Sequence, residues 1–136
     1  MARILVVDDS RETVELIRLV LSNAGHEPIP AYGGHEALTK VVIERPGIVL
    51  LDLMMPDMDG FETLRLMRGM PETNGLPVIV ITASADPDLE QRVALAGGNA
   101  CLHKPIDIDI LIEAIDNHIN DSQRVPLRQS PFAGQR

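Results

Sequence analysis

Three short apolar runs, each followed directly by a polar residue, constrain the fold of this chain more than any other feature. The runs cover residues 4–7 before Asp8, residues 48–51 before Asp52 and residues 77–81 before Thr82. None of them alternates apolar with polar side chains, and continuous runs of this kind are typical of strands that helices cover on both faces. They therefore predict the buried strands of a parallel sheet.

Helical patterns lie between these runs and complete a regular alternation of strand and helix. Two weaker strands are predicted over residues 27–31 and 100–103, and the prolines of the first place it at a sheet edge. Apolar residues at helical spacing predict five helices, which start after Ser10, at Gly33-Gly34, after Gly60, at Asp86-Pro87 and at Asp107. With right-handed crossovers, this order predicts an α/β fold: a doubly wound five-stranded parallel sheet with helices on both faces.

Composition narrows the class of protein. The 136 residues suffice for one domain, and 45% apolar with 24% charged residues is typical of a globular chain. A net charge of −8 argues against direct binding of nucleic acid or of anionic membranes. The single cysteine, Cys101, excludes a disulfide framework, so we expect a cytoplasmic protein. No apolar run approaches the length of a membrane span.

Polar side chains follow four of the predicted strands at the points where those strands end. Asp8 and Asp9 follow the first strand, Asp52 the third, Thr82 the fourth and Lys104 the fifth. The carboxyl ends of parallel strands share one edge of the sheet, and ligands of doubly wound folds bind there. We therefore expect three carboxylates, a hydroxyl and an ammonium group to meet at that edge.

The predicted cluster of carboxylates needs a cation. Three carboxylates about 5 Å apart repel one another by about 3 kcal/mol per pair at an effective dielectric constant of about 20. Lys104 supplies one positive charge, and a hard divalent cation such as Mg²⁺ suits the remaining oxygen ligands. A site that combines Mg²⁺, lysine, threonine and a free carboxylate is equipped for phosphoryl transfer to an aspartate.

Four sequence motifs together carry a resemblance to a known family. They are residues 4–10 (ILVVDDS), 51–60 (LDLMMPDMDG), 80–83 (VITA) and 102–105 (LHKP). In this order and at this spacing, the chain from residue 2 to about residue 119 resembles the CheY-like receiver domain of bacterial two-component response regulators. The resemblance implies a flavodoxin-like receiver fold with strand order 2-1-3-4-5.

The resemblance also implies a phosphorylation-dependent signalling switch, not a metabolic enzyme. Asp52 would accept a phosphoryl group from a phosphohistidine on a sensor histidine kinase or phosphotransfer protein, in a Mg²⁺-dependent reaction. Asp9 would bind Mg²⁺ directly and Asp8 mainly through water, with Asp52 and the backbone carbonyl of Met54 as further ligands. The domain would catalyse only its own phosphorylation and dephosphorylation.

Further roles follow from the resemblance, and one position departs from it. Lys104, joined to Pro105 by a cis peptide bond, would bind a phosphoryl oxygen and the carboxylate of Asp52. Thr82 would move to hydrogen-bond the phosphoryl group. The family usually has Tyr or Phe three residues before the lysine, whereas this chain has the much smaller Cys101. We therefore expect the loop after Thr82 and the fourth helix to transmit the signal, without an aromatic switch.

The predicted receiver domain covers residues 1–120, and residues 121–136 are predicted to form a flexible tail or the stub of a linker. The last segment has two prolines and few large apolar residues. Two arrangements stay open: a single-domain regulator that acts on a downstream effector protein, or a receiver detached from the output domain of a longer protein.

The fifth helix offers a candidate docking face. It is predicted to end at Ile119 and to bury a face made of Ile108, Leu111, Ile112, Ile115 and Ile119. Ile106 and Ile110 lie off that face, so they form either an exposed apolar patch or partly covered packing. The resemblance implies that the fourth helix, fifth strand and fifth helix bind an effector or a second copy of the chain, as a homodimer.

Two functions of other classes stay open at this point. One is a phosphatase or phosphotransferase that uses a covalent aspartate on a related α/β fold. Such enzymes typically carry Asp-x-Asp on the first strand, whereas Asp8 and Asp9 are adjacent here and Asp52 follows the third strand. The other is a receiver-like binding module that no longer accepts phosphate, although all five site residues are present in this chain.

Overall fold

The computed structural model describes residues 1–127, in which five strands alternate with five helices. In chain order the elements are β1 (Arg3–Val7), α1 (Arg11–Asn23), β2 (Glu27–Ala31), α2 (Gly34–Glu44), β3 (Ile48–Leu51), α3 (Gly60–Arg68), β4 (Val78–Thr82), α4 (Leu89–Leu95), β5 (Ala100–His103) and α5 (Ile108–Leu127). None of these helices has the length and hydropathy that a bilayer crossing requires.

All five strands pair in parallel in the order β2-β1-β3-β4-β5, so the predicted doubly wound topology is confirmed. The strand with the two prolines, β2, lies at one edge, where Pro28 and Pro30 face Ile4 and Val6 of β1. Proline cannot donate a backbone hydrogen bond, and an edge strand needs to pair on one side only. The predicted edge position is therefore confirmed.

Alternate residues of β1 belong to two separate hydrophobic clusters. Leu5 and Val7 pack with side chains of α2 and α3, whereas Ile4 and Val6 pack with side chains of α1 and α5 on the other face. All four are at most 2% exposed. Successive side chains of a strand point to opposite faces. The continuous apolar run is therefore the direct consequence of helices on both sides of the sheet.

Two helix starts show where local sequence signals are sufficient and where they are not. Ser10 is the N-cap of α1, and its Oγ accepts a hydrogen bond from the Thr13 N–H at 3.2 Å. The predicted start of the fourth helix at Asp86 is wrong, because α4 begins at Leu89. The side chains of Ser84 and Asp86 accept the N–H groups of Asp86 and Asp88, which form turns ahead of the helix.

The fifth helix is longer than predicted, because α5 continues from Ile108 to Leu127. The predicted end at Ile119 followed the last apolar residue at helical spacing, and the backbone helix continues beyond it. Residues 121–127, predicted as tail, therefore form the last turns of α5, and the tail prediction for residues 128–136 lies outside the described residues. The domain boundary at residue 120 stays a prediction.

The buried face of α5 is narrower than predicted. Leu111 and Ile115 are fully buried against β1 and β3, but Ile108, predicted to be buried, is 49% exposed at the first turn. Ile106, predicted off the buried face, is half-buried against the same cluster, whereas Ile110 is 51% exposed as predicted. We call Ile108 and Ile110 the α5 patch. Ile108 is the first residue of α5, and helical spacing alone does not show that this first turn is exposed.

Candidate functional site

The site begins with two aspartates held side by side at the carboxyl edge of the sheet. The register of β1 and β3 pairs Val7 with Leu51, so Asp8 and Asp52 follow neighbouring strands at the same level. The Asp52 N–H donates to the Val7 carbonyl at 3.0 Å, which continues the ladder beyond the strands. The backbone positions of both carboxylates are therefore set by the centre of the sheet.

Three carboxylates meet at this point. Asp8, Asp9 and Asp52 each offer an oxygen, and the three atoms lie within 4.8 Å of one another. Asp8 and Asp52 are 3% and 5% exposed, whereas Asp9 is exposed. Such a set, with hard oxygen donors only and one side open to solvent, fits a hard divalent cation that keeps several waters. The predicted meeting of the three aspartates is observed, and their role as ligands stays a prediction.

Lys104 brings the positive charge into the same cluster. Its Nζ lies 2.8 Å from Asp8 Oδ2 and 3.5 Å from Asp52 Oδ2, so the ammonium group lies between the two buried carboxylates. The following Lys104–Pro105 peptide bond is cis, as the family resemblance implied. The sequence predicted that Lys104 would meet the site aspartates. Its contacts with Asp8 and Asp52 bring the end of β5 to the ends of β1 and β3.

The pKa of Asp52 and the pKa of Lys104 are both raised, but for different reasons. Burial raises the pKa of Asp52 above its usual range, the charge of Asp8 adds to the rise, and Met54 and Lys104 oppose it. Burial alone would lower the pKa of Lys104, but its hydrogen bond to Asp8 and the charges of Asp52 and Asp8 raise it. Lys104 therefore keeps its positive charge. The negative charge of Asp52 costs more free energy in the folded state than in the unfolded chain.

Thr82 ends β4 and is joined to the lysine through the backbone. It is fully buried, and its carbonyl accepts a hydrogen bond from the Lys104 N–H at 2.9 Å. Its Oγ1 lies 3.4 Å from the Ser84 N–H and accepts from it, which leaves the hydroxyl proton for another acceptor. A movement of Thr82 would therefore act directly on the backbone of Lys104 and on the start of the β4–α4 loop.

The loop after Asp52 is folded around the carboxylate. The Met54 N–H donates to Asp52 Oδ1 at 3.2 Å, while the Met54 side chain is 61% exposed. The neighbouring Leu53 and Met55 side chains are 5% and 7% exposed and anchor the loop to the core. The backbone of Met54 is thus held next to the acidic cluster, and metal binding by its carbonyl stays a prediction.

The motifs and the geometry both point to one family, and a comparison with known families decides it. The model of the response regulator receiver domain matches residues 4–116. The chain belongs to this receiver domain family. Receiver domains are phosphorylation-dependent signalling switches of two-component systems.

Receiver domains from several bacteria are similar to this one in sequence and structure. The polar-differentiation response regulator DivK of Brucella anthropi is 30% identical over 119 residues, which cover 88% of this chain and 97% of that protein. The chemotaxis protein CheY4 of Vibrio cholerae superposes with a TM-score of 0.81 at 30% identity, covering 86% of this chain and 98% of that one.

A second solved structure has a different setting. The receiver domain of a signal transduction histidine kinase from Syntrophus aciditrophicus gives a TM-score of 0.83 at 26% identity, covering 98% of this chain and 99% of that one. Receivers with this fold thus occur in a histidine kinase as well as in response regulators. The likeness shows the fold and leaves the setting of this chain open.

Strand β5 of this receiver domain carries a cysteine where the family usually has an aromatic residue. Cys101 is half-buried and packs against the cluster of Leu53, Val80, Leu89 and Val93. Burial, with the nearby charge of Glu90, raises the pKa of its thiol, so the group is a neutral, small packing residue. That the signal passes through the loop after Thr82 and the fourth helix, without an aromatic switch, stays a prediction.

The sequence did not predict two contacts of the site region. The Ser10 N–H donates to Asp8 Oδ1 at 2.9 Å, so the residue that caps α1 also orients a site carboxylate. Asp57, in the loop after Asp52, binds the backbone of α2 with both carboxylate oxygens. A glycine at the N-cap of α2, which has no capping oxygen of its own, was the only signal for the second contact.

Proposed function

We propose that Asp52 accepts a phosphoryl group from a phosphohistidine of a sensor histidine kinase or a phosphotransfer protein. The observation that carries this proposal is the position of Asp52: buried at the centre of the carboxyl edge, with the Lys104 ammonium 3.5 Å away. Lysine at that distance from a carboxylate binds both the nucleophile and the charge that develops on the transferred group. The domain catalyses its own modification and has no other substrate.

The transfer exchanges one bond for another at phosphorus. An oxygen of ionised Asp52 forms the new P–O bond, and the P–N bond to the histidine breaks with its electrons returning to the imidazole ring. Lys104 binds a phosphoryl oxygen and keeps its contact with Asp8, which holds the ammonium group in place at 2.8 Å. The Thr82 hydroxyl then donates its free proton to another phosphoryl oxygen.

We further propose that the acidic cluster binds Mg²⁺ through Asp8, Asp9, Asp52 and the Met54 carbonyl. The three carboxylates and their spacing within 4.8 Å support the proposal. When bound, the ion neutralises charge on the phosphoryl oxygens. Asp9 is the exposed member, so it is the ligand that meets an entering ion first. Asp8 remains tied to Lys104 and to the Ser10 N–H, which favours contact through a bound water.

The proposed output is a change in the loop after Thr82 and in the surface formed by α4, β5 and α5. The α5 patch, Ile108 and Ile110, gives this surface an exposed apolar contact for an effector protein, a detached output domain or a second copy of the chain. The acidic charge of the chain supports protein partners over nucleic acid or membranes, and the single cysteine agrees with a cytoplasmic location.

The first test uses a small phosphoryl donor and the intact mass of the protein. The wild-type chain is incubated with acetyl phosphate and Mg²⁺, with and without EDTA, beside Asp52→Asn. We expect a gain of one phosphoryl group that needs Mg²⁺ and is absent from the Asp52 variant. Asp59→Asn, which changes an exposed aspartate of the same loop, is the matched control and should be modified like the wild type.

The outcomes separate the three classes of function. Modification of Asp52→Asn to the wild-type extent would contradict the assignment of the phosphoacceptor. Turnover of a phosphomonoester by the wild type would favour a phosphatase. If neither acetyl phosphate nor a phosphohistidine donor modifies the wild type, the chain is a binding module and the proposal fails.

A further inference from the structure

The start of α2 is capped by a residue from another part of the chain. Gly33, the N-cap, has no side-chain oxygen to accept the first helical N–H groups. Asp57 supplies both acceptors: Oδ1 lies 3.2 Å from the Gly34 nitrogen and Oδ2 lies 3.2 Å from the His35 nitrogen. One carboxylate from the loop after Asp52 thus satisfies two of the four N–H groups that a helix start leaves unpaired.

The two glycines at this start make room for the contact. A Cβ on Gly33 would lie 2.8 Å from Asp57 Oδ2, and a Cβ on Gly34 would lie 2.5 Å from Thr63 Oγ1 of α3. Both distances are shorter than side chains tolerate. The Gly33-Gly34 pair therefore lets the first turn of α2 approach the loop and α3 closely, a role that its sequence did not indicate.

The charge of Asp57 favours the same contact. Burial is the largest single influence and opposes ionisation, but the backbone hydrogen bonds, led by those from the His35 and Gly34 N–H groups, together outweigh it and lower the pKa of Asp57. A carboxylate at a helix N-terminus also interacts favourably with the helix dipole. Asp57 is therefore ionised whenever the protein is near neutral pH, and it binds α2 as an anion.

The contact lies on the loop that carries Met54. The inner part of this loop is anchored by the buried Leu53 and Met55 side chains and by the bond from the Met54 N–H to Asp52. The outer part, Pro56 and Asp57, is exposed. The carboxylate of Asp57 ties this outer part to α2, so the loop is held at both ends.

We propose that Asp57 is a positioning residue for the metal-binding loop: by binding the first turn of α2, it fixes the loop that presents the Met54 carbonyl. The proposal rests on the proposed Mg²⁺ site. It assigns α2, which contributes no ligand, a part in metal affinity. Asp57 itself touches neither the ion nor the phosphoryl group.

The test compares two aspartates of the same loop. Asp57→Ala removes the contact with α2, whereas Asp59→Ala removes a cap of α3, where Asp59 accepts from the Glu62 N–H at 2.9 Å within its own helix. Both variants lose one exposed carboxylate and one helix cap, so their changes in charge are matched. Amide hydrogen exchange by NMR and the Mg²⁺ dissociation constant from a MgCl₂ titration are measured on the full, unphosphorylated chain.

We expect Asp57→Ala to speed exchange of the Met54 amide and to raise the Mg²⁺ dissociation constant about five-fold, less than the roughly 10–100-fold cost of losing a direct partner of a ligand. Asp59→Ala should leave both quantities within about two-fold of the wild type. Asp57→Asn keeps one acceptor oxygen and should give an intermediate result. At saturating Mg²⁺, the rate of phosphorylation of Asp57→Ala should return to the wild-type rate.

Two results would overturn the inference. One is a Met54 exchange rate in Asp57→Ala equal to that of the wild type, which would reduce Asp57 to a simple helix cap. The other is an equal loss of Mg²⁺ affinity in Asp57→Ala and Asp59→Ala, which would assign the effect to charge or stability. If the wild type binds no Mg²⁺ and gains no phosphoryl group, the proposed function fails, and the exchange rates alone decide whether Asp57 fixes the loop.

Discussion

The two edges of the sheet are built on opposite principles. At the carboxyl edge, Asp8, Asp9 and Asp52 place three carboxylate oxygens within 4.8 Å of one another and share the single ammonium of Lys104. At the amino edge, one guanidinium, that of Arg68, is matched by neutral acceptors from two loops. The carboxyl edge keeps uncompensated negative charge. At the amino edge, by contrast, almost all N–H groups of the Arg68 guanidinium have a hydrogen-bond acceptor.

Arg68 at the end of α3 shows how the amino edge is held. Its guanidinium donates to the Gly97 carbonyl at 2.8 and 3.0 Å, to the Thr73 carbonyl at 2.9 Å and to Asn99 Oδ1 at 3.2 Å. The same Asn99 oxygen accepts the Val78 N–H at the start of β4. A single side chain thus joins the α3–β4 and α4–β5 loops.

The amino edge adds to the stability of this domain, whereas the carboxyl edge reduces it. Hydrogen bonds from a charged donor to fixed carbonyls stabilise the fold without any ligand. Crowded carboxylates destabilise the folded state, and the Mg²⁺ ion proposed above would offset that cost by binding the folded chain.

Loss of the amino-edge guanidinium should have the largest effect. Arg68→Met keeps much of the buried aliphatic part of the Arg68 side chain and removes the guanidinium's hydrogen bonds to Gly97, Thr73 and Asn99. We therefore expect the free energy of unfolding to fall by about 3 kcal/mol. Urea unfolding followed by circular dichroism measures it. The control is Arg65→Met, three residues earlier on α3, where an exposed pair with Glu62 is lost and the change should stay within about 0.5 kcal/mol.

Equal effects of the two arginine variants would break the contrast, because Arg68 would then be an ordinary surface residue. Phosphorylation of Asp52 should persist in Arg68→Met at a temperature where the variant is folded. A folded variant that is not phosphorylated would show that the two edges are coupled.

Mg²⁺ should stabilise the carboxyl edge by an intermediate amount. At a concentration ten times its dissociation constant, an ion that binds only the folded chain adds about 1.4 kcal/mol to the free energy of unfolding. EDTA should remove this gain, and Asp9→Asn should reduce it because one of the three carboxylates is lost. An equal gain for the wild type and for Asp9→Asn would place the ion elsewhere on the chain.

Neutralising one carboxylate should give the smallest gain, and pH should control it. The pKa of Asp52 is raised in the folded chain, so the folded state binds this proton more tightly than the unfolded state does. Stability therefore falls as the pH rises from the usual aspartate range through the folded pKa. At pH 7 and without Mg²⁺, Asp52→Asn should raise the free energy of unfolding by on the order of 1 kcal/mol.

The pH dependence provides the control for that prediction. The gain from Asp52→Asn should shrink as the pH is lowered through the folded pKa and below the usual range of an aspartate, where the wild-type carboxyl is protonated in both states. A gain that is constant with pH would mean that packing, not charge, separates the two proteins. Urea unfolding at several pH values measures both.

Much of the fold and the core of the site could be predicted from the sequence. The runs before Asp8, Asp52 and Thr82 predicted the central strands, because a strand covered on both faces must be apolar at every position. The start of α4 could not be predicted in the same way. Its apolar spacing gave no sign of the turns in which Ser84 and Asp86 accept backbone N–H groups ahead of Leu89.

The common position of the site carboxylates followed from the sequence, because parallel strands that end in aspartate must bring those aspartates to one edge. The exposure of Ile108, the cap that Asp57 provides to a helix 23 residues away and the reach of Arg68 to Gly97 became visible only in the folded chain. The physical reason is that periodicity records which side of an element is buried. A hydrogen bond between two distant loops leaves no periodic trace, and it depends on how closely the folded backbones approach each other.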